Sequence, residues 1–130
     1  MLQAISQIMH ISKRKLDTRI EKEIREIFHQ LLADLKSKED VAIFLRDFLT
    51  PTEYQALVKR LTTALYLDKN RPWKQIQKTL KVSSATVAKT QEMMEKKSEG
   101  FAIAFSFIKA EQWAGDLAER ISKTVRKITG

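Results

Sequence analysis

The stretch Arg71–Met94 reads RPWKQIQKTLKVSSATVAKTQEMM. Pro72 suits the first position of a helix, so a short helix is predicted from there to Leu80. Lys81-Val82-Ser83 then forms a three-residue turn. Ser83 can accept a backbone N–H and cap a second helix, which runs to about Lys97 with Gly100 closing it. A short helix, a tight turn and a second capped helix make a helix-turn-helix pattern. Ile76, Leu80, Val82 and Val87 would meet in a small core, with Met94 also inward. Ser84, Ala85, Thr86, Ala88 and Lys89 then face outward. Small and hydroxylated side chains let a helix sit deep in a DNA major groove. Lys89, Lys96 and Lys97 on that helix, and Lys74, Lys78 and Lys81 on its flank, are placed to meet phosphates. An ordinary helical hairpin with a solvated basic face shows the same pattern. Gln77 stands where such motifs favour a small residue, and Lys81 where they favour glycine.

The rest of the composition agrees with a basic helical chain. Its 130 residues suit one domain with one sizeable core. Lys and Arg number 24 against 16 Asp and Glu, a formal charge of +8 that points to an anionic partner, nucleic acid being the commonest. Only 3 Gly and 2 Pro leave little turn material for a many-stranded sheet. Cysteine is absent, which excludes disulfides, thiolate metal sites and cysteine nucleophiles and fits a reducing compartment. No run approaches the roughly 20 apolar residues that cross a bilayer, and residues 1–10 lack the pattern of a signal peptide. The expectation is an all-α, cytoplasmic domain that needs no membrane, metal or cofactor.

Working outward, Leu16, Ile20, Ile24, Ile27, Leu31 and Leu35 recur at steps of four and three and predict one amphipathic helix. Leu2, Ile5, Ile8 and Met9 suggest a turn or two before it. Ser37 with Asp40 starts a second helix bearing Val41, Phe44, Leu45, Phe48 and Leu49. Thr50-Pro51-Thr52-Glu53 is a capping box with proline at the first helical position. The helix it opens runs to about Leu67, with Leu57, Leu61, Ala64 and Leu65 inward. Asp68-Lys69-Asn70-Arg71 breaks it. Phe101–Ile108 is apolar enough for a strand or a buried helix, and helical neighbours with no partner strand favour helix. Trp113, Leu117, Ile121, Val125 and Ile128 then continue at helical spacing. The chain thus reads as a single helical domain, 1–130, with N-terminal helices at 16–49, which the resemblance given next implies are for dimerisation, a helix-turn-helix core at 50–99 and C-terminal helices at 100–130.

Phe48-Leu-Thr-Pro-Thr-Glu53, followed by Ala56-Leu57 and Arg60, resembles the segment that precedes the reading head in the Trp repressor family. Pro72-Trp-Lys-Gln-Ile76 and Leu80-Lys-Val-Ser-Ser-Ala-Thr-Val87 resemble that family's helix-turn-helix, one residue short near Asn70. The likeness covers about Val41 to Ile108, and the residues after Ala110 look like an added C-terminal helix. It implies an interlocked helical homodimer whose two reading heads enter successive major grooves. The apolar surplus at 16–35, 41–49 and 101–108 is consistent with that dimer, although packing within one chain would also use it. The resemblance places Arg60 at one of two arginines that sandwich a tryptophan corepressor. Lys89 stands at the second, and Thr90 where the family has glycine. An ammonium does not stack as a guanidinium does, so tryptophan control is not expected.

Catalytic chemistry finds little footing. His10 has only Lys13 and Arg14 at helical spacing. Glu26 and His29 have the spacing of a helical di-metal motif but no second pair. Glu23 and Glu26 lie among Lys22 and Arg25 on a solvated face, a poor setting for an acid/base couple. Tyr54, Tyr66 and Trp73 read as packing residues. The expectation is therefore a non-enzymatic transcriptional regulator of duplex DNA, with Lys74, Lys78, Ser83, Ser84, Thr86, Lys89 and Lys96 at the interface. The competing reading is a basic helical module for an acidic protein or a membrane surface, favoured by the basic, amphipathic residues 112–130.

Overall fold

The computed structural model describes residues 16–129. The expectations for Leu2, Ile5, Ile8, Met9 and His10 lie outside that range. Within it are six α-helices and no strand: α1 Thr18–Asp34, α2 Lys38–Phe48, α3 Pro51–Asp68, α4 Trp73–Leu80, α5 Ser84–Lys96 and α6 Ser98–Thr129. The chain forms two compact units that divide within α3, between Leu57 and Val58.

Local chemistry explains the helix starts. Asp17 accepts the Arg19 N–H at 2.9 Å ahead of α1, and Ser37 accepts the Asp40 N–H at 3.0 Å ahead of α2. Thr50 and Glu53 form the reciprocal box expected for α3. The Thr50 N–H donates to Glu53 Oε1 at 2.9 Å, and the Glu53 N–H donates to Thr50 Oγ1 at 3.2 Å. At the other end of α3, Asn70 takes the left-handed conformation at φ 56°. The Arg71 N–H then reaches Tyr66 O and the Asn70 N–H reaches Leu67 O, each at 3.0 Å. These are the two bonds of a Schellman stop, in the polar segment that the sequence marks as a break.

In the first unit, α1 and α2 bury no residue. Ile20, Ile24 and Ile27 are 50%, 47% and 68% exposed. Phe44 stacks on Phe48 with ring centres 5.0 Å apart, and Phe28 lies 6.0 Å from Phe48. The amphipathic stripe is present, and its apolar side is open to solvent in the single chain.

The second unit holds the core. Ala64, Ile76 and Val87 are completely buried, and Phe105 nearly so. Thr63 and Thr90 are buried with them. Thr63 Oγ1 has no hydrogen-bond partner. The expected inward row of α3 is only partly kept: Ala64 is buried and Leu65 half-buried, as expected. Leu57 and Leu61 are 47% and 41% exposed, whereas Thr63 and Ala64 are covered and Arg60 and Leu67 half-covered. The covered side of α3 therefore runs through Arg60, Thr63, Ala64 and Leu67.

Two boundaries differ from expectation. Gly100 does not close α5. The break falls at Lys97, at φ −138° and ψ 71°, whose N–H bonds Met93 O at 2.9 Å. Gly100 lies inside α6 and has no positive φ. The tail after Ala110 is helical, but it continues the helix that carries Phe105 rather than starting another. No glycine, proline or cap interrupts helix formation there: at Gly115 a Cβ would meet nothing within 4 Å, and the helix passes through it.

Candidate nucleic-acid interface

Helices α4 and α5 pack together through Ile76 and Val87, with Leu80, Val82 and Met94 half-buried around them. The turn between them is tight. Lys81 sits at φ 56°, ψ 49°, in the left-handed region where glycine is usual. Lys81 N–H bonds Gln77 O, and Val82 N–H reaches the same carbonyl at 3.3 Å. The Lys59 ammonium donates to Lys81 O at 3.2 Å, tying α3 to the turn. The turn has this geometry with lysine in place of glycine.

Ser83 caps α5. Its hydroxyl accepts the Thr86 N–H at 3.1 Å and lies 3.0 Å from Thr86 Oγ1. The cap fixes where α5 begins, and with it which side faces out. Val87, Thr90 and Met94 point inward at helical spacing. Lys89 and Lys96 lie on the opposite side with Ala85, and Glu92 lies between them. Ser84, Ala85, Thr86 and Lys89 are all exposed, as are Lys74 and Lys78 on α4. Lys96 is exposed but paired with Glu92 at 2.7 Å. Ser83 and Thr86 are engaged with each other, so their hydroxyls support the helix start as well as facing solvent.

Charge concentrates here. Residues 71–97 contain seven basic and two acidic side chains, a net +5 of the chain's +8. Sequence reading singled out Lys74, Lys78, Lys89 and Lys96 but passed over Arg71. Arg71 is exposed and lines an open groove of about 400 Å³ with Leu67, Trp73 and Met94. Trp73 is 40% exposed, with one side over this groove.

Around Thr90 the head is closed. Thr90 is 2% exposed, and its hydroxyl donates to Thr86 O at 2.8 Å. Arg60 is half-buried and Lys89 exposed. Neither they nor Thr90 line the groove beside Arg71 or the one beside Phe105. Among the described residues no group of three His, Asp or Glu is placed to hold a metal ion, and no helix is long and apolar enough to cross a membrane.

A short helix, a left-handed turn and a capped, basic, outward-facing second helix on a helical core define a helix-turn-helix protein. The sequence profile of the Trp repressor protein family matches residues 22–108, from within α1 into α6. The chain belongs to the Trp repressor family, a family of DNA-binding regulators rather than enzymes. No curated protein and no solved structure matches it. The match starts earlier than the resemblance first visible at Val41 and takes in most of the α1 stripe. It ends at residue 108, so the last 21 residues described, 109–129, lie outside it.

Proposed function

We propose that this chain is a transcriptional regulator that binds duplex DNA in the cytoplasm by placing α5 in the major groove. The observation that carries the reading is the outer side of α5. It is capped by Ser83, built of small residues at its start and flanked by lysines at Lys74, Lys78, Lys89 and Lys96. Phosphate contacts from those lysines would set position, while Ser84, Thr86 and Lys89 approach base edges. Serine and threonine discriminate bases weakly, so water-mediated and shape readout carry much of the specificity; Trp repressor is itself a known example of water-mediated readout.

The regulator acts as a homodimer. The α1 stripe supports this, because Ile20, Ile24 and Ile27 would be left in water by a lone chain. Two heads then read half-sites about one helical turn apart. Tryptophan is not the controlling ligand, since Thr90 fills the place where the family has glycine.

The test is a gel shift on duplexes selected from a random pool, repeated across salt concentrations. Lys89→Ala is expected to weaken binding and to lower the salt slope by about one unit. Unchanged affinity and slope in the folded variant would remove Lys89 from the interface. Failure to enrich any sequence would overturn sequence-specific binding.

A further inference from the structure

We propose that the groove beside Trp73 is a binding site for a free guanine mononucleotide. The groove is separate from Arg60, Lys89 and Thr90, and the inference does not depend on DNA binding. Its volume of about 400 Å³ lies in the range of small-ligand sites, and it falls wholly within the second unit. The end of α3, the link to α4, the start of α4 and one side of α5 all line it, with Leu67 and Met94 as the apolar part. Three features of the lining carry the proposal.

The first is a cation on a fixed backbone. Asn70 is left-handed, the Arg71 N–H is held by Tyr66 O at 3.0 Å, and Pro72 follows at φ −62°. The Arg71 side chain therefore starts from a set position at the edge of the groove. Among the described residues it enters no ion pair. A guanidinium with free N–H groups takes a phosphate through two parallel bonds.

The second is a flat surface. Trp73, the first residue of α4, is 40% exposed and lines the groove. Among the described residues no aromatic ring packs against it. An indole open on one side is a platform on which a nucleobase stacks.

The third is a polar edge that reads bases. Gln91 and Glu95 lie one turn apart on α5, and Gln91 Nε2 donates to Glu95 Oε1 at 3.1 Å. An amide meets a carboxylate only through its NH2 group, which fixes how Gln91 is turned. Its second N–H stays free, and so does Glu95 Oε2. Glu95 has no cation partner among the described residues, the neighbouring pair being Lys96 with Glu92. The edge thus offers one donor beside a carboxylate that accepts. Guanine presents the complement, the O6 acceptor next to the N1–H and N2–H donors. Adenine, cytosine and uracil each place a single donor group there. Arg71 and Glu95 line one groove without pairing, and a molecule with a phosphate at one end and two N–H donors at the other satisfies both. Bound there, it would tie the α3–α4 link to α5 and so brace the reading head.

The chain has two tryptophans, Trp73 and Trp113. Trp113→Phe, on the exposed tail, leaves Trp73 as the reporter in the full-length protein. Titration with guanosine monophosphate should quench Trp73 fluorescence saturably, after correction for nucleotide absorbance. Arg71→Ala should weaken this binding about tenfold or more. Glu95→Gln should erase the preference over adenosine monophosphate. Both side chains are exposed, and circular dichroism checks that the variants stay folded. No saturable change below millimolar nucleotide would overturn the site, as would unchanged affinity in Arg71→Ala. Equal binding of the adenine, cytosine and guanine nucleotides would remove the base-reading role of Gln91 and Glu95. Displacement by inorganic phosphate at the same concentration would reduce the site to an anion contact. A guanine-containing single-stranded oligonucleotide that binds where the mononucleotide does not would overturn the free nucleotide as occupant.

Discussion

The ammonium of Lys59, on α3, donates to the carbonyl of Lys81 at 3.2 Å, and Lys81 is the residue held in a left-handed conformation between the two helices of the reading head. A β-carbon costs about 1–2 kcal/mol in that conformation. The strain is offset by the packing of Ile76 and Val87 on either side of the turn, not by the Lys59 contact, which is solvent-exposed and of small net worth. Lys81→Gly should therefore raise stability by up to about 1 kcal/mol, the gain being reduced by the freer unfolded chain. Urea unfolding checks this. Lys59→Ala should change the midpoint little.

Thr63 leaves a hydroxyl oxygen buried without a partner. Valine has nearly the same shape and no polar atom. Thr63→Val should stabilise the second unit by about 1 kcal/mol, since it removes an unsatisfied group rather than a bond. A thermal midpoint that falls would show that the hydroxyl is satisfied in solution.

Thr90 should block an indole. Its side chain is fully packed, hydrogen-bonded to Thr86 O, and β-branched, so it cannot swing aside freely. Titration calorimetry with L-tryptophan should show no micromolar binding, and tryptophan should leave the gel shift unchanged. Tryptophan that binds and tightens DNA association would show that the slot survives.

Glu53 should make the start of α3 sensitive to acid. The Thr50 N–H, and then its hydroxyl, hold the Glu53 carboxyl below its ordinary value. The capping box therefore contributes fully above the unfolded pKa and is lost as pH falls through the lower, folded one. Amide exchange at the first turn of α3 should rise as pH drops below the ordinary glutamate range, after correction for the intrinsic rate. Glu53→Gln should flatten that dependence.

Much of the fold was legible because its decisive contacts are local. Ser37, Thr50 and Ser83 each cap a helix within three residues of themselves, and Ile76 and Val87 are eleven residues apart across one turn. The rotation of α3 was not legible. Which of Leu61 or Thr63 faces inward is settled by helices far along the chain, and both choices fit a helical period. Gly100 misled because glycine stops a helix only where the backbone turns left-handed, and here Asn70 and Lys81 take that conformation instead. The outward lysines of α5 could be read once Ser83 fixed the start. Arg71 was passed over because it reads as part of a linker, and only the fold sets it on a groove shared with Leu67 and Met94.

The unbroken course of α6 gives the protein a rotational phase. Because no loop lies between Phe105 and Ile128, the compass bearing of the tail relative to the reading head is set by residue count alone. Inserting one residue after Lys109 would swing everything beyond it by about 100° while moving it only about 1.5 Å. Inserting seven would nearly restore the bearing and lengthen the arm by about 10 Å. Length and aim can thus be varied separately in this segment, and a change too small to disturb the helix is enough to turn its far end away from whatever it meets.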